Sequence, residues 1–178
     1  MLAAAQRGLP SSTPPHRYRP VLAAASGALL LAIVTPGAPQ VLINHTASEP
    51  LGAYWRTGAT PSVGALVAFA APPAAFPYAD GRLAYLHREP MLKAVAAGPG
   101  DTVCAAGAVL TINAIVRAPI AERDGRGRAL PRWRGCRRLD PGEVFVFSNR
   151  VPNSFDSRYF GPIPARSVIG VYRALGAP

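Results

Sequence analysis

A serine hydroxyl becomes a strong nucleophile when a neighbouring base removes its proton, and a lysine amine can be that base if it is uncharged. Of the 19 basic residues in this chain 18 are arginine and one, Lys93, is lysine. Arginine stays protonated at any working pH, whereas a desolvated lysine can accept a proton. Lys93 lies in the segment Met91 to Val103 (MLKAVAAGPGDTV), inside an apolar strand where Leu92, Ala94 and Val95 flank it. Burial there would disfavour the ammonium and lower the pKa, the condition for general-base work near neutral pH. The alternative is a lysine on an exposed strand face, which alternation permits, in an arginine-rich chain that holds one lysine by chance.

Two further segments carry reactive side chains. Asn44 to Trp55 (NHTASEPLGAYW) contains Ser48 in a stretch ending in Pro50 and Gly52, a setting for an exposed hydroxyl on a turn. An ordinary turn serine reads the same way. Asn153 to Pro164 (NSFDSRYFGPIP) places Asp156 and Arg158 two residues apart. On an extended backbone they share a face with Ser154 and can pair. A polar loop closed by Gly161-Pro162 is the alternative.

The elements that must hold these residues read as strands. Short apolar runs separated by Gly/Pro turns occupy Val63 to Ala70, Pro90 to Ala97, Ala108 to Arg117, Glu143 to Ser148 and Ser167 to Ala174. Between the first two lies a loop with one helical turn, and Ala118 to Leu139 is a long basic loop. Strands without intervening amphipathic helices predict a mostly β domain. With 178 residues, 20 prolines and 17 glycines, the chain has room for one such domain and an appendage.

The appendage is amino-terminal. No charged residue lies between Arg19 and His45, and Arg7, His16, Arg17 and Arg19 precede that stretch. A basic flank ahead of an apolar run predicts insertion with the amino terminus in the cytoplasm. Val21 to Val34 is short for a span of about 20 residues. Extension to Ile43 makes the length, although Pro36 and Pro39 would bend or end a helix there. We read residues 1–19 as a cytoplasmic basic segment, 20–43 as a signal anchor, and 44–178 as an exported β-rich domain. A secretory signal cut near Ala38 is the alternative. In an exported domain a Cys104–Cys136 disulfide is the natural reading, and in a reducing compartment two free thiols. Neither cysteine has metal-ligand spacing, so no metal or other cofactor is expected.

The net charge of +10 invites a nucleic-acid reading. Its one dense run, Arg123 to Arg138, is broken by Gly and Pro and carries one aromatic, Trp133. It reads as a solvated basic loop facing an anionic membrane surface or an acidic partner. No recognition-helix pattern accompanies it, and export would take it away from cytoplasmic DNA, so no nucleic-acid partner is expected.

In this order, behind an amino-terminal anchor, the three segments resemble the boxes of bacterial type I signal peptidases, and most nearly the TraF-type conjugative-transfer branch. Thr46 to Trp55 is similar to that branch's nucleophile segment, LKAVAAGPGDTV to its lysine box, and NSFDSRYFGPIP to its third box. The resemblance runs from about residue 20 to the end. It implies a signal-peptidase-like β domain with one amino-terminal transmembrane helix, Ser48 as nucleophile, Lys93 as base, and Asp156 at the acidic position counted as catalytic. It further implies that Thr46 helps line the oxyanion hole, Ser154 orients the lysine, and Arg158 pairs with Asp156.

By the same resemblance the enzyme sits in the inner membrane with its catalytic domain in the periplasm, among inner-membrane lipids and components of a type IV secretion apparatus. Its substrate would be a conjugative pilin precursor, with cyclisation of the pilin a further step, or alternatively the secreted preproteins of a general signal peptidase. A non-catalytic assembly component of a conjugation channel is the reading from another class. Two departures point to a specialised enzyme. Glu49 follows the serine where the general enzymes have methionine, and Phe147-Ser148-Asn149-Arg150 replaces the Gly-Asp-Asn start of their last box.

Overall fold

Val144, Phe145, Val146 and Phe147 form an unbroken apolar run, and a strand that is buried on both faces needs one. In the computed structural model, which describes residues 38–176, this run is the wall between two cores. Val144 and Val146 face a cluster with Val67, Phe69, Met91, Val95, Phe160 and Ile163. Phe145 and Phe147 point the other way, into a cluster with Val103, Leu110, Ile112, Leu139 and Tyr159.

Among the described residues there are eleven strands: β1 Val41–Asn44, β2 Gly52–Thr57, β3 Leu66–Phe69, β4 Met91–Ala97, β5 Thr102–Ala106, β6 Val109–Ile112, β7 Ile115–Pro119, β8 Gly135–Arg138, β9 Glu143–Val146, β10 Ile163–Pro164 and β11 Val168–Ala174. One sheet has the order β1-β2-β11-β3-β4-β9-β10 and a smaller one β7-β6-β5-β8. All paired neighbours are antiparallel. A short helix, α1 (Ser157–Phe160), precedes β10. The domain is mostly β, as its sequence pattern predicts.

Several details differ from the sequence reading. The expected strand Ala108 to Arg117 is a hairpin of β6 and β7, because Asn113 and Ala114 take positive φ (51° and 64°) and turn the chain. Two adjacent left-handed residues make the turn type that matches strand twist, and Asn tolerates it well. The segment between β3 and β4 holds three 3₁₀ turns instead of one helical turn. The basic loop yields a strand, β8, which pairs with β5 and brings Cys136 directly opposite Cys104, where the two form a disulfide.

The loop's Trp133 is also no solvated side chain. It packs on Phe145 with ring centroids 5.7 Å apart. Arg128, Arg132 and Arg137 of the same loop and strand pair with Asp124, Glu122 and Glu143 at 2.7–2.8 Å.

The amino-terminal expectation meets the structure at one place. Val41 to Ile43, assigned by sequence to the anchor, lie in β1 and pair with β2. Their alternation explains this: Leu42 and Asn44 turn inward while Val41 and Ile43 face out. Ile43 is 62% exposed, and Trp55, 44% exposed, lies opposite Val41 on the same outer face. The rest of the anchor assignment, up to residue 37, and the cytoplasmic segment 1–19 lie outside the described residues. Among the described residues no helix is long and apolar enough to cross a membrane.

Candidate active site

β4 lies between β3 and β9 in the large sheet, so both its edges are paired, and the burial of its residues shows that both its faces are covered as well. Met91, Lys93 and Val95 alternate onto one face. Its two apolar members enter the first core, and Lys93, paired in register with Val67, is 5% exposed. The exposed-face alternative therefore fails. Burial lowers the lysine's pKa from 10.5, and the charge of Arg158 pushes the same way. Asp156 and Glu49 oppose that shift through their negative charge.

The Lys93 amine meets one hydroxyl. Its Nζ lies 2.5 Å from Ser48 Oγ. Ser48 is itself buried, 8% exposed, not the open turn hydroxyl that its setting predicts. It lines the floor of a cleft of about 420 Å³ whose walls include Ile43, Thr46, Leu86, Met91, Ser154 and Phe155. A hydroxyl in this position reaches a substrate in the cleft and is shielded from bulk water everywhere else.

Asn44, which the sequence reading passed over, holds the serine loop in shape. Its side-chain amide donates to the carbonyls of Thr46, Glu49 and Pro50 at 2.9–3.0 Å. Its Oδ1 accepts from the Thr46 backbone N–H and hydroxyl at 3.1 and 2.8 Å. The signal was present in the Asn-x-Thr spacing, an Asx-type turn in which the side chain bonds the backbone two residues on. The Tyr54 hydroxyl donates to Pro50 O at 2.6 Å, and the Ser148 hydroxyl donates to the Ser48 carbonyl. The first reaches the loop from β2, four residues on, and the second from the segment after β9, a hundred residues away, which local pattern does not reveal.

Asp156 and Arg158 do pair, but not on an extended backbone. Asp156 caps α1, its Oδ1 accepting from the Arg158 N–H, and Arg158 lies in the helix. The guanidinium then forks onto the carboxylate, Nε to Oδ1 at 2.8 Å and Nη2 to Oδ2 at 2.9 Å. Such two-point pairs are among the stronger ionic hydrogen bonds. Both residues are fully buried, with Arg158 stacked over Phe147 at 4.9 Å.

Among the described residues no ion pair joins Asp156 to Lys93, so the carboxylate reaches the amine only through its field. Two expected supports stand differently from the sequence reading. Ser154 lines the cleft, but its buried hydroxyl has no hydrogen-bond partner and does not hold Lys93. Arg158 holds Ser154 through its carbonyl at 2.8 Å, which leaves the hydroxyl unengaged. The Thr46 hydroxyl donates to Asn44 and not into the cleft. Among the described residues no cluster of His, Cys, Asp or Glu could hold a metal ion.

A family model described as "Signal peptidase, peptidase S26" matches residues 35–175. The chain belongs to that family. This S26 signal peptidase is 30% identical over 176 residues to the plasmid transfer protein TraF of Escherichia coli, covering 90% of this chain and 96% of the relative. It is 33% identical over 161 residues to the conjugal transfer protein TraF of Agrobacterium tumefaciens, covering 83% and 87%. Among solved structures, a signal peptidase I of Enterococcus faecalis aligns over 64% of this chain and 97% of its own at 22% identity, with a TM-score of 0.39. The S26 family is one of serine-type signal peptidases, and the family agrees with the resemblance carried by the three boxes.

Proposed function

We propose that Ser48 and Lys93 are the catalytic pair of this S26 peptidase, and that its substrate is the precursor of a conjugative pilin. The observation that carries the first part is the 2.5 Å approach of a buried amine to a buried hydroxyl at the floor of the cleft. Uncharged Lys93 takes the Ser48 proton as Oγ attacks the scissile carbonyl. The tetrahedral oxyanion is met by backbone N–H groups and by Thr46 once its hydroxyl turns from Asn44. Loss of one such donor typically lowers the rate by about 10²–10³. The lysinium returns the proton to the leaving amine, and Lys93 then activates the water, or the amine, that releases the acyl group. Asp156 and Arg158 act as positioning residues beneath this pair.

The pilin substrate is supported by the two TraF relatives, which are named for plasmid and conjugal transfer. Release by the pilin's own amino terminus, giving a cyclic product, would follow from the same acyl intermediate. Inner-membrane anchoring by residues 20–43, with residues 44–178 in the periplasm, is supported by the basic flank before the apolar run and by the outward apolar face of β1 and β2 beside the cleft. Enzyme and precursor held in one plane would meet at a raised effective concentration.

The test is cleavage of a pilin precursor by the full chain in membranes. Ser48→Ala and Lys93→Arg should each abolish cleavage in a chain that still folds, Ser48→Ala with its thermal unfolding transition in place and Lys93→Arg with a lowered one, because a buried guanidinium cannot give up its charge. Substantial activity in Lys93→Arg would remove Lys93 as base, since guanidinium cannot accept the proton. Equal processing of ordinary secretory precursors would identify a general signal peptidase instead.

A further inference from the structure

The residue after the nucleophile is a carboxylic acid in a place that few acids occupy. Glu49 is 7% exposed, and its Oε1 has no hydrogen-bond partner. A buried carboxyl with an unsatisfied oxygen costs stability and calls for a reason. The backbone does not supply one, because the Glu49 carbonyl already accepts from Asn44 and fixes the loop whatever the side chain is.

Two carboxylates act on Lys93, Asp156 and Glu49. Asp156 is saturated: Arg158 forks onto it, and the Ser148 N–H also donates to it. Arg158 further opposes its effect on the lysine. Glu49 has no such cation. Among the described residues nothing lies within ion-pair distance of it. The groups whose charge or polarity bears on it are Lys93 and the Ala94 N–H from β4, Ser148 and Arg150 from the segment after β9, and the Tyr54 phenol from β2.

We propose that Glu49 is a positioning residue for Lys93, the uncommitted negative charge that lets a buried amine take up and hold the serine proton. The inference rests on the reading of Lys93 as base. During acylation an ammonium forms in a site 5% open to solvent, where water cannot stabilise it. A carboxylate already neutralised by an arginine gives it little, whereas an unpaired one gives it much more. Burial raises the Glu49 pKa and the Lys93 charge opposes that rise, so ionisation of Glu49 and protonation of Lys93 favour each other.

The sole lysine makes this directly measurable. Selective ¹³C/¹⁵N-lysine labelling of the full chain gives one side-chain signal, that of Lys93, and its midpoint can be followed against pH. In Glu49→Gln the midpoint should fall by about one pH unit, a tenfold loss of proton affinity, the lower end of what an opposite charge at close range provides. Glu49→Asp should leave it nearly in place. Should Glu49→Gln fail to fold, Glu49→Met removes the charge with an apolar side chain of similar size, a change that buried ions often tolerate, and should give the same fall.

The acidic limb of kcat/KM for precursor cleavage should move down by the same amount while KM stays constant. A side chain that merely fills space would move neither midpoint. A Lys93 midpoint unchanged or raised in the charge-removing variants overturns the role of Glu49. That outcome is separate from failure of the catalytic pair, which shows as cleavage surviving in Lys93→Arg.

Discussion

A lysine amine buried beside a hydroxyl is unfavourable for folding wherever it occurs, because the fold must either desolvate an ammonium or give up its proton. Lys93 is held with its pKa lowered, so the unfolded chain binds that proton more readily than the native one. Native stability should therefore rise with pH from the folded midpoint up to about 10.4, where the unfolded lysine also loses its proton. Lys93→Met should gain about 1–2 kcal/mol in urea unfolding at neutral pH while abolishing cleavage, a trade common at sites built for function. Cleavage by the native enzyme should increase with pH through the Lys93 midpoint, since only the free amine can accept the Ser48 proton. A pH profile that falls over that range would contradict the assignment. Asp156 is the opposite case. Asp156→Asn leaves Arg158 charged and buried without its counter-ion, which typically costs about 3–5 kcal/mol. The variant should lose stability to match.

At the scale of elements, the basic loop is tied down at two points that its composition conceals. One is the disulfide between β5 and β8, which closes a sequence separation of 32 residues. In the chain-entropy model such a loop contributes about 3–4 kcal/mol. The Cys104→Ser, Cys136→Ser pair should lose about that much in thermal or urea unfolding and keep cleavage activity below the new transition.

The other is Trp133 against the end of α1. Gly161 has φ of 82°, and a Cβ there would come within 2.8 Å of Trp133 Cδ1. Gly161→Ala should cost about 2–3 kcal/mol, from left-handed strain and the clash together. Against a Trp133→Ala background the same change should cost only the strain, about 1 kcal/mol.

These features also mark where the sequence is legible. β3, β4 and β9 stand out because they are apolar runs of the core, β11 because it is rich in β-branched residues, and Lys93 because it interrupts one of those runs. β1, β2, β5 and β8 escape pattern reading because they are short, half-exposed or arginine-bearing, and pairing partners decide them. The box residues reveal Ser48, Lys93 and the Asp156–Arg158 pair, Asn44 is legible as an Asx-type turn, and Ser148 needs the fold, which brings its hydroxyl to the Ser48 carbonyl.

At the scale of the whole molecule, the cleft opens beside an outward face of Val41, Ile43 and Trp55, and Ile43 belongs to both. An exposed apolar surface continuous with a binding cleft is a site for association rather than an accident of packing. For a protease acting on precursors still held in a bilayer, that face would set the depth and tilt at which the cleft meets the scissile bond. Trp55 offers a clean probe, because its exposed ring contributes to no core cluster and lies opposite Val41 on β1 and Arg173 on β11, away from the Ser48 loop. Its exposed part is worth on the order of 2 kcal/mol on entering an apolar phase. Trp55→Glu in the full chain, reconstituted in liposomes, should cut cleavage of a membrane-embedded precursor about tenfold. Hydrolysis of a short soluble peptide spanning the cleavage site should be unchanged, since Ser48, Lys93 and the cleft walls are not altered. Equal loss on both substrates would mean that β2 has been damaged, and equal retention that the apolar face plays no part in presenting the substrate.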